Sequence, residues 1–174
     1  MQPVTIYTDG SWLNKHHAGG WSALMVAGPH WRVIYDGVLD TTVNRMELMA
    51  VLVGLQQLTE PCVVTIFADS KLTVNIINDW IERWEANGYI TSTKQPVANQ
   101  DLIKQLPPLL KKHRVVAVWV RAHTRRKDTN SLGNAVVDQF AQRAARLTHY
   151  HNHNLSYVDA KFPKLKKIMN RTIF

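Results

Sequence analysis

A mixed α/β sheet of five strands, order 3-2-1-4-5 with strand 2 antiparallel and helices on both faces, is the architecture this sequence predicts. Two observations carry the prediction. Up to Leu39 the chain reads as three alternating strands separated by short breaks, the pattern of an antiparallel meander. Beyond that point helical spacing and short β-branched runs take turns, which is the pattern of parallel strands joined by right-handed crossovers. A meander followed by β-α-β-α-β leaves the first strand beside the fourth, with helices above and below.

The elements follow in chain order. Residues 3–9 form the first strand, with Val4, Ile6 and Thr8 on one side and Thr5, Tyr7 and Asp9 on the other, and Gly10-Ser11 is expected to break it. Residues 19–26 and 31–39 supply the next two strands around a Pro29-His30 turn. Leu48, Val51, Leu52, Leu55 and Leu58 recur at helical spacing, so a helix from Asn44 to Leu58 buries one face. Asn44 fits its N-cap and Glu47 the residue three later, a capping-box pattern. Val63 to Phe67 is a short buried strand, and Asp69-Ser70 opens a helix with Val74, Ile77 and Ile81 inward. Asn87-Gly88 ends that region. A helix from Asn99 to His113 contains Pro107-Pro108, which predicts a kink or two short helices. Val115 to Val120 is the fifth strand, a basic loop covers about 121–131, and a helix from Ser131 to Leu147 buries Val137, Phe140, Ala141 and Ala144.

Composition narrows the function classes. The 174 residues suit one domain with a real core, 45% apolar and 20% charged. Cys62 is the single cysteine, so disulfides do not staple the fold, and a reducing, cytoplasmic compartment is expected. The N-terminal residues show no signal-peptide pattern, and no apolar run is long enough to span a bilayer. A net charge of +8 points to a polyanionic partner.

Four carboxylates then acquire a common purpose. With strands one and four adjacent, Asp9 and Asp69 come close together, and Glu47 reaches the same end of the sheet from its helix. Asp138 lies early in the last helix. Each has an ordinary reading alone: Asp9 as a turn former, Asp69 and Glu47 as helix-capping residues, Asp138 as a solvated acid. Together they would repel one another strongly unless cations neutralised them. Oxygen ligands without a Cys/His cluster favour Mg²⁺ or Mn²⁺ over zinc. Two such ions about 4 Å apart can activate a water and stabilise the leaving oxygen of a phosphodiester.

The chain resembles type 1 ribonuclease H. The resemblance rests on Tyr7-Thr8-Asp9-Gly10-Ser11, Asn44-Arg45-Met46-Glu47-Leu48, Ala68-Asp69-Ser70, Trp119-Val120-Arg121-Ala122-His123 and Gly133-Asn134 with Asp138, in family order and spacing. It covers about residues 1–148, leaving 149–174 as a basic C-terminal extension. It implies an RNase H-like fold and an endoribonuclease that cuts the RNA strand of RNA/DNA hybrids with two Mg²⁺ ions, Mn²⁺ being a possible substitute. Asp9, Glu47, Asp69 and Asp138 match the four metal-binding acids of the family, and His123 its mobile histidine. Asn44 and Lys71 match contacts to the RNA strand. Thr42 matches a residue that holds a DNA phosphate, and Ser11 and Asn134 lie near the acids. Trp80, Trp84 and Tyr89 match an aromatic protrusion that grips DNA, although helical spacing of the two tryptophans fits core packing equally. The expected partner is the hybrid, met by a monomer with no membrane involvement. A non-catalytic hybrid-binding module and a DNA-processing relative on the same fold are the alternatives.

Three departures from the family stand out. The loop after the first aspartate is Asn14-Lys15-His16-His17-Ala18 in place of a glycine- and proline-rich one. Ala122 replaces the usual glycine before the histidine. Residues 79–100 carry two basic and three acidic side chains, so the protrusion is near neutral. The extension holds Lys161, Lys164, Lys166, Lys167 and Arg171 against Asp159, and Phe162, Leu165, Ile168 and Met169 would give a short helix there an apolar face.

Overall fold

Five strands in the order β3-β2-β1-β4-β5 form the sheet of the computed structural model, which describes residues 1–122 and 128–151, the last three as backbone alone. The strands are β1 (Gln2–Leu13), β2 (Ala18–Ala27), β3 (His30–Leu39), β4 (Cys62–Ala68) and β5 (Arg114–Trp119). β2 pairs antiparallel with β1 and β3, whereas β4 runs parallel to both β1 and β5. The helices are α1 (Val43–Gln56), α2 (Lys71–Asn75), α3 (Ile81–Asn87), α4 (Gln100–Ile103), α5 (Leu106–Lys112) and α6 (Thr129–His151). The predicted strand order and strand directions hold.

Period-2 alternation sorts the sheet residues onto two cores. Val4, Ile6, Ala23, Met25 and Ile34 pack against Leu48, Val51, Leu52 and Leu55 of α1, with Ile77, Ile81, Leu102 and Leu106 completing the layer. Tyr7, Leu24, Val33 and Tyr35 face the other way, onto Val136, Val137, Phe140 and Ala144 of α6. Fully burying such a side chain contributes about 1.5–3 kcal/mol, so the pattern of alternation outweighs local propensity. α6 lies very close to the sheet: a Cβ on Gly20 would collide with the Ala141 carbonyl oxygen.

Several local expectations are corrected. β1 does not stop at Gly10-Ser11 but continues to Leu13, because β2 supplies ladder partners for each residue, Ser11 lying opposite Gly20. The role of Gly10 is close approach. A Cβ there would meet the Glu47 amide nitrogen at 2.5 Å, so glycine is what lets α1 lean on β1. The cap of α1 is Thr42 rather than Asn44: Thr42 is extended, and its Oγ1 accepts from the Arg45 amide at 3.3 Å. Asn44 is already inside the first turn, so Glu47 is no capping partner. Ser70, not Asp69, caps α2, accepting from the Thr73 amide at 3.2 Å. α6 begins at Thr129, two residues before the predicted start, where Asp128 accepts from the Ser131 amide at 3.0 Å, and it runs past Leu147 to His151. Pro107 and Pro108 sit in the first turn of α5, with α4 as the separate short helix before it.

A π-helical stretch, Ile76–Trp80, joins α2 to α3. It points Asn78 at the open edge of the sheet, where the side-chain amide donates to the Ala117 carbonyl at 2.7 Å and accepts from the Ala117 N–H at 2.9 Å. One amide thus stands in for a neighbouring strand on β5. Arg45 ties the start of α1 to α4 through a two-pronged ion pair with Asp101, 2.8 and 2.5 Å.

Candidate active site

Sheet register creates the site. Thr8 pairs with Ala68 as the last step of the parallel β1–β4 ladder, so Asp9 and Asp69 are the next residues of adjacent strands. The close approach at Gly10 brings Glu47, in the second turn of α1, against the same point. The result is one cluster in which ligand oxygens of Asp9, Glu47 and Asp69 all lie within 4.8 Å of one another. Asp9 and Glu47 are buried and Asp69 is half-buried. Oxygen donors of one charge sign, converging at this distance, are a divalent-cation ligand set.

The electrostatics agree. Asp9 is held far above the usual carboxylate range, first by burial, then by the charges of Glu47, Asp69 and Asp138, while the Gly10 N–H donating at 2.9 Å opposes the rise. Glu47 is pushed up by burial and then by Asp69. Its Oε2 is buried with no hydrogen-bond partner among the described residues. An orphaned carboxylate oxygen aimed into an acid cluster is costly unless a cation completes it. Asp138 stands apart from the triad of oxygens. It is half-buried on α6, its Oδ1 accepts from Gln142 Nε2 at 2.8 Å, and its field reaches Asp9.

The remaining expected site residues are placed as follows. Ser11 lies two residues beyond Asp9 on the same face of β1, half-buried. Thr42, Asn44 and Lys71 are exposed at the starts of α1 and α2. Asn134 is buried near the start of α6, with its Oδ1 unpartnered among the described residues, and so is not exposed as a surface contact would be. The rings of Trp80 and Trp84 meet at a 60° tilt, centroids 5.6 Å apart, and like Tyr89 pack against the α1-side core. His16 and His17 are exposed. His123, with Arg125, Arg126 and Lys127, lies outside the described residues, as does most of the 149–174 extension. Sequence reasoning missed Trp119 as a site neighbour. Its indole N–H donates to the Asp69 main-chain carbonyl at 2.9 Å, and its position at a strand end beside a motif histidine was the available signal.

An antiparallel meander continued by parallel strands, with acids clustered beyond the last β1–β4 pair, defines a mixed α/β domain with a candidate divalent-cation site at the end of its sheet. The RNase H family model matches residues 1–146. Ribonuclease H of Cupriavidus metallidurans is 42% identical over 143 residues, 82% of this chain and 95% of that protein. Ribonuclease HI of Neisseria meningitidis serogroup B is 41% identical over 144 residues, 83% of this chain and 96% of that one. The chain belongs to the RNase H family. Among solved structures, LC9-RNase H1, a type 1 RNase H with the type 2 active-site motif, superposes with a TM-score of 0.73 at 19% identity, covering 97% of this chain and 85% of that one. The PFV RNase H domain gives 0.70 at 20% identity, covering 83% and 94%. At these identities the structures establish the shared fold.

Proposed function

We infer that this chain is an endoribonuclease that hydrolyses the RNA strand of RNA/DNA hybrids, with two Mg²⁺ ions as its cofactors and Mn²⁺ as a substitute. The convergence of Asp9, Glu47 and Asp69 oxygens within 4.8 Å carries the reading. When bound, the ions supply an activated water and charge neutralisation at the leaving oxygen. The chain's own residues do the rest. Asp9 and Glu47, fixed by β1 and by α1 leaning on Gly10, present a rigid pair of carboxylates with little reorganisation left to make. Asp69 presents its carboxylate from the rim of the cluster, and Asp138 adds charge from α6. Thr42 and Asn44, exposed at the start of α1, and Lys71, exposed at the start of α2, are assigned contacts to the two strands from their match to the family. His123 is assigned proton transfer or product release from its match to the family motif. With Cys62 as its single cysteine the chain needs no oxidising compartment, in keeping with a reducing cytoplasm, and a monomer contains every acid the reaction uses.

Matched RNA/DNA, RNA/RNA and DNA/DNA duplexes incubated with Mg²⁺ and resolved on a gel test the reading. Cleavage confined to the RNA of the hybrid, lost in Asp69→Asn with cooperative folding retained, is expected. Hybrid retention without cutting would leave a binding module, and cleavage of DNA duplexes a DNA-processing enzyme. Full turnover in Asp69→Asn would put the chemistry elsewhere.

A further inference from the structure

Trp119 closes β5 with 43% of its surface exposed, beside the acid cluster. Its parallel partner is Ala68, the residue before Asp69. The last main-chain bond between the two strands runs from the Val120 N–H to the Ala68 carbonyl at 3.0 Å. Beyond it, Asp69 sits between the end of β4 and the start of α2, past the ladder. The indole N–H reaches it there, donating to its carbonyl at 2.9 Å. The same ring carries the Lys71 ammonium 4.8 Å from its centroid. One side chain therefore holds both residues that flank the helix cap Ser70, one an acid of the cluster and the other a cation at its edge.

Each contact has a chemical consequence. Anchoring the Asp69 carbonyl limits rotation of its peptide plane and so the direction of its carboxylate. Lysine side chains are flexible, and an ammonium resting on an aromatic face is confined to a smaller volume. A cluster of acids repels a phosphate backbone, so a cation kept at its rim gives the incoming strand a point of attachment.

We propose that Trp119 is a positioning residue of the active site: its N–H orients Asp69 for the metal, and its ring holds Lys71 in place for a phosphate of the hybrid. The proposal rests on the hydrolase reading given above. Trp119→Phe keeps a ring and loses the donor, Trp119→Leu loses both, and Lys71→Gln removes the cation alone. In the full-length chain, calorimetric titration with Mn²⁺ alone should show about five-fold weaker binding in both tryptophan variants, the scale of one hydrogen bond. Lys71→Gln should bind Mn²⁺ no more weakly than wild type. On hybrid at saturating Mg²⁺, KM should rise about three-fold in Trp119→Leu and in Lys71→Gln, the scale of one exposed cation–π contact. KM should stay near wild type in Trp119→Phe. The double variant Trp119→Leu/Lys71→Gln should have the KM of Lys71→Gln, because the ring acts on substrate through the lysine. A tryptophan with a merely structural role would lower the melting temperature and leave Mn²⁺ affinity and KM unchanged, which overturns the proposal. Additive KM effects in the double variant overturn the assignment of Lys71 to the ring. Failure of the wild-type chain to cut hybrid is the separate result that removes the hydrolase reading and this proposal with it.

Discussion

Replacing Asp9 by Asn should make the metal-free protein more stable while abolishing cleavage. In the fold Asp9 is held above neutrality, against an ordinary value of 3.8, chiefly by burial and then by the neighbouring acids. A carboxyl whose folded value is raised favours the folded state when protonated. That advantage is complete below the unfolded value and is lost as pH rises toward the folded one. From 3.8 to pH 7 the interval is 3.2 pH units, which at ~1.4 kcal/mol per unit amounts to ~4 kcal/mol. Asn keeps the volume and has no proton to lose. The variant should therefore melt roughly 8–16 °C above wild type at pH 7 in EDTA, with the gap shrinking to nothing near pH 4. Saturating Mg²⁺ should narrow or reverse the gap by stabilising only the protein with its acids intact. Differential scanning calorimetry across pH 4–8, with and without Mg²⁺, measures this directly. Equal melting temperatures in EDTA at pH 7, or a gap that widens toward acid, would refute the reasoning that burial, helped by the neighbouring acids, keeps Asp9 protonated in the metal-free fold.

Three further expectations follow from particular side chains and segments. Gly10→Ala places a Cβ 2.5 Å from the Glu47 amide nitrogen, so α1 must move. The expected cost is about 1–3 kcal/mol, together with a fall in kcat, and a variant with wild-type kcat and melting temperature would contradict the close-approach role. Asn78→Ala leaves the Ala117 N–H and C=O without their side-chain partner, which should destabilise the fold by about 1–3 kcal/mol. The Ala117 amide should then exchange hydrogen faster while kcat at 20–25 °C stays unchanged, and unaltered exchange would deny the edge-capping role. The C-terminal extension carries a net +4 over residues 149–174 and is proposed as a phosphate clamp that replaces the missing basic protrusion. Thr148 is buried and α6 runs to His151, so truncation belongs after that residue. The shortened protein should bind hybrid more weakly, its log–log salt slope shallower by roughly one unit for each phosphate it no longer touches, with kcat retained. Equal affinity and slope in both proteins would remove the clamp.

Legibility in the sequence followed the range of the forces involved. Alternation in β1–β3 and the helical spacing of Leu48, Val51, Leu52 and Leu55 are set by burial, which every residue of an element reports, so strand order and both helix-bearing faces could be read. The four acids were legible as a set because each lies at an element boundary or on a motif of recognisable spacing. Capping was not. Thr42 against Asn44, and Ser70 against Asp69, differ by a residue or two in a chain that offers an acceptable cap at either position, and backbone dihedrals set by packing make the choice.

Chemical character was thus determined by the sequence alone: an acid-rich, oxygen-ligand centre on a basic mixed α/β domain. The tertiary structure alone decided how those acids meet. Gly10 looks like a turn residue in one dimension, yet it is the gap through which α1 reaches β1 and delivers Glu47 to Asp9. Asn78 carries no local signal of its role and Trp119 only its place in a motif, because their partners, Ala117 and Asp69, lie 39 and 50 positions away. Pairings at that separation depend on sheet register and on the path of a π-helical stretch. Neither is encoded within a short window of residues, and both appear only when the strands are laid side by side.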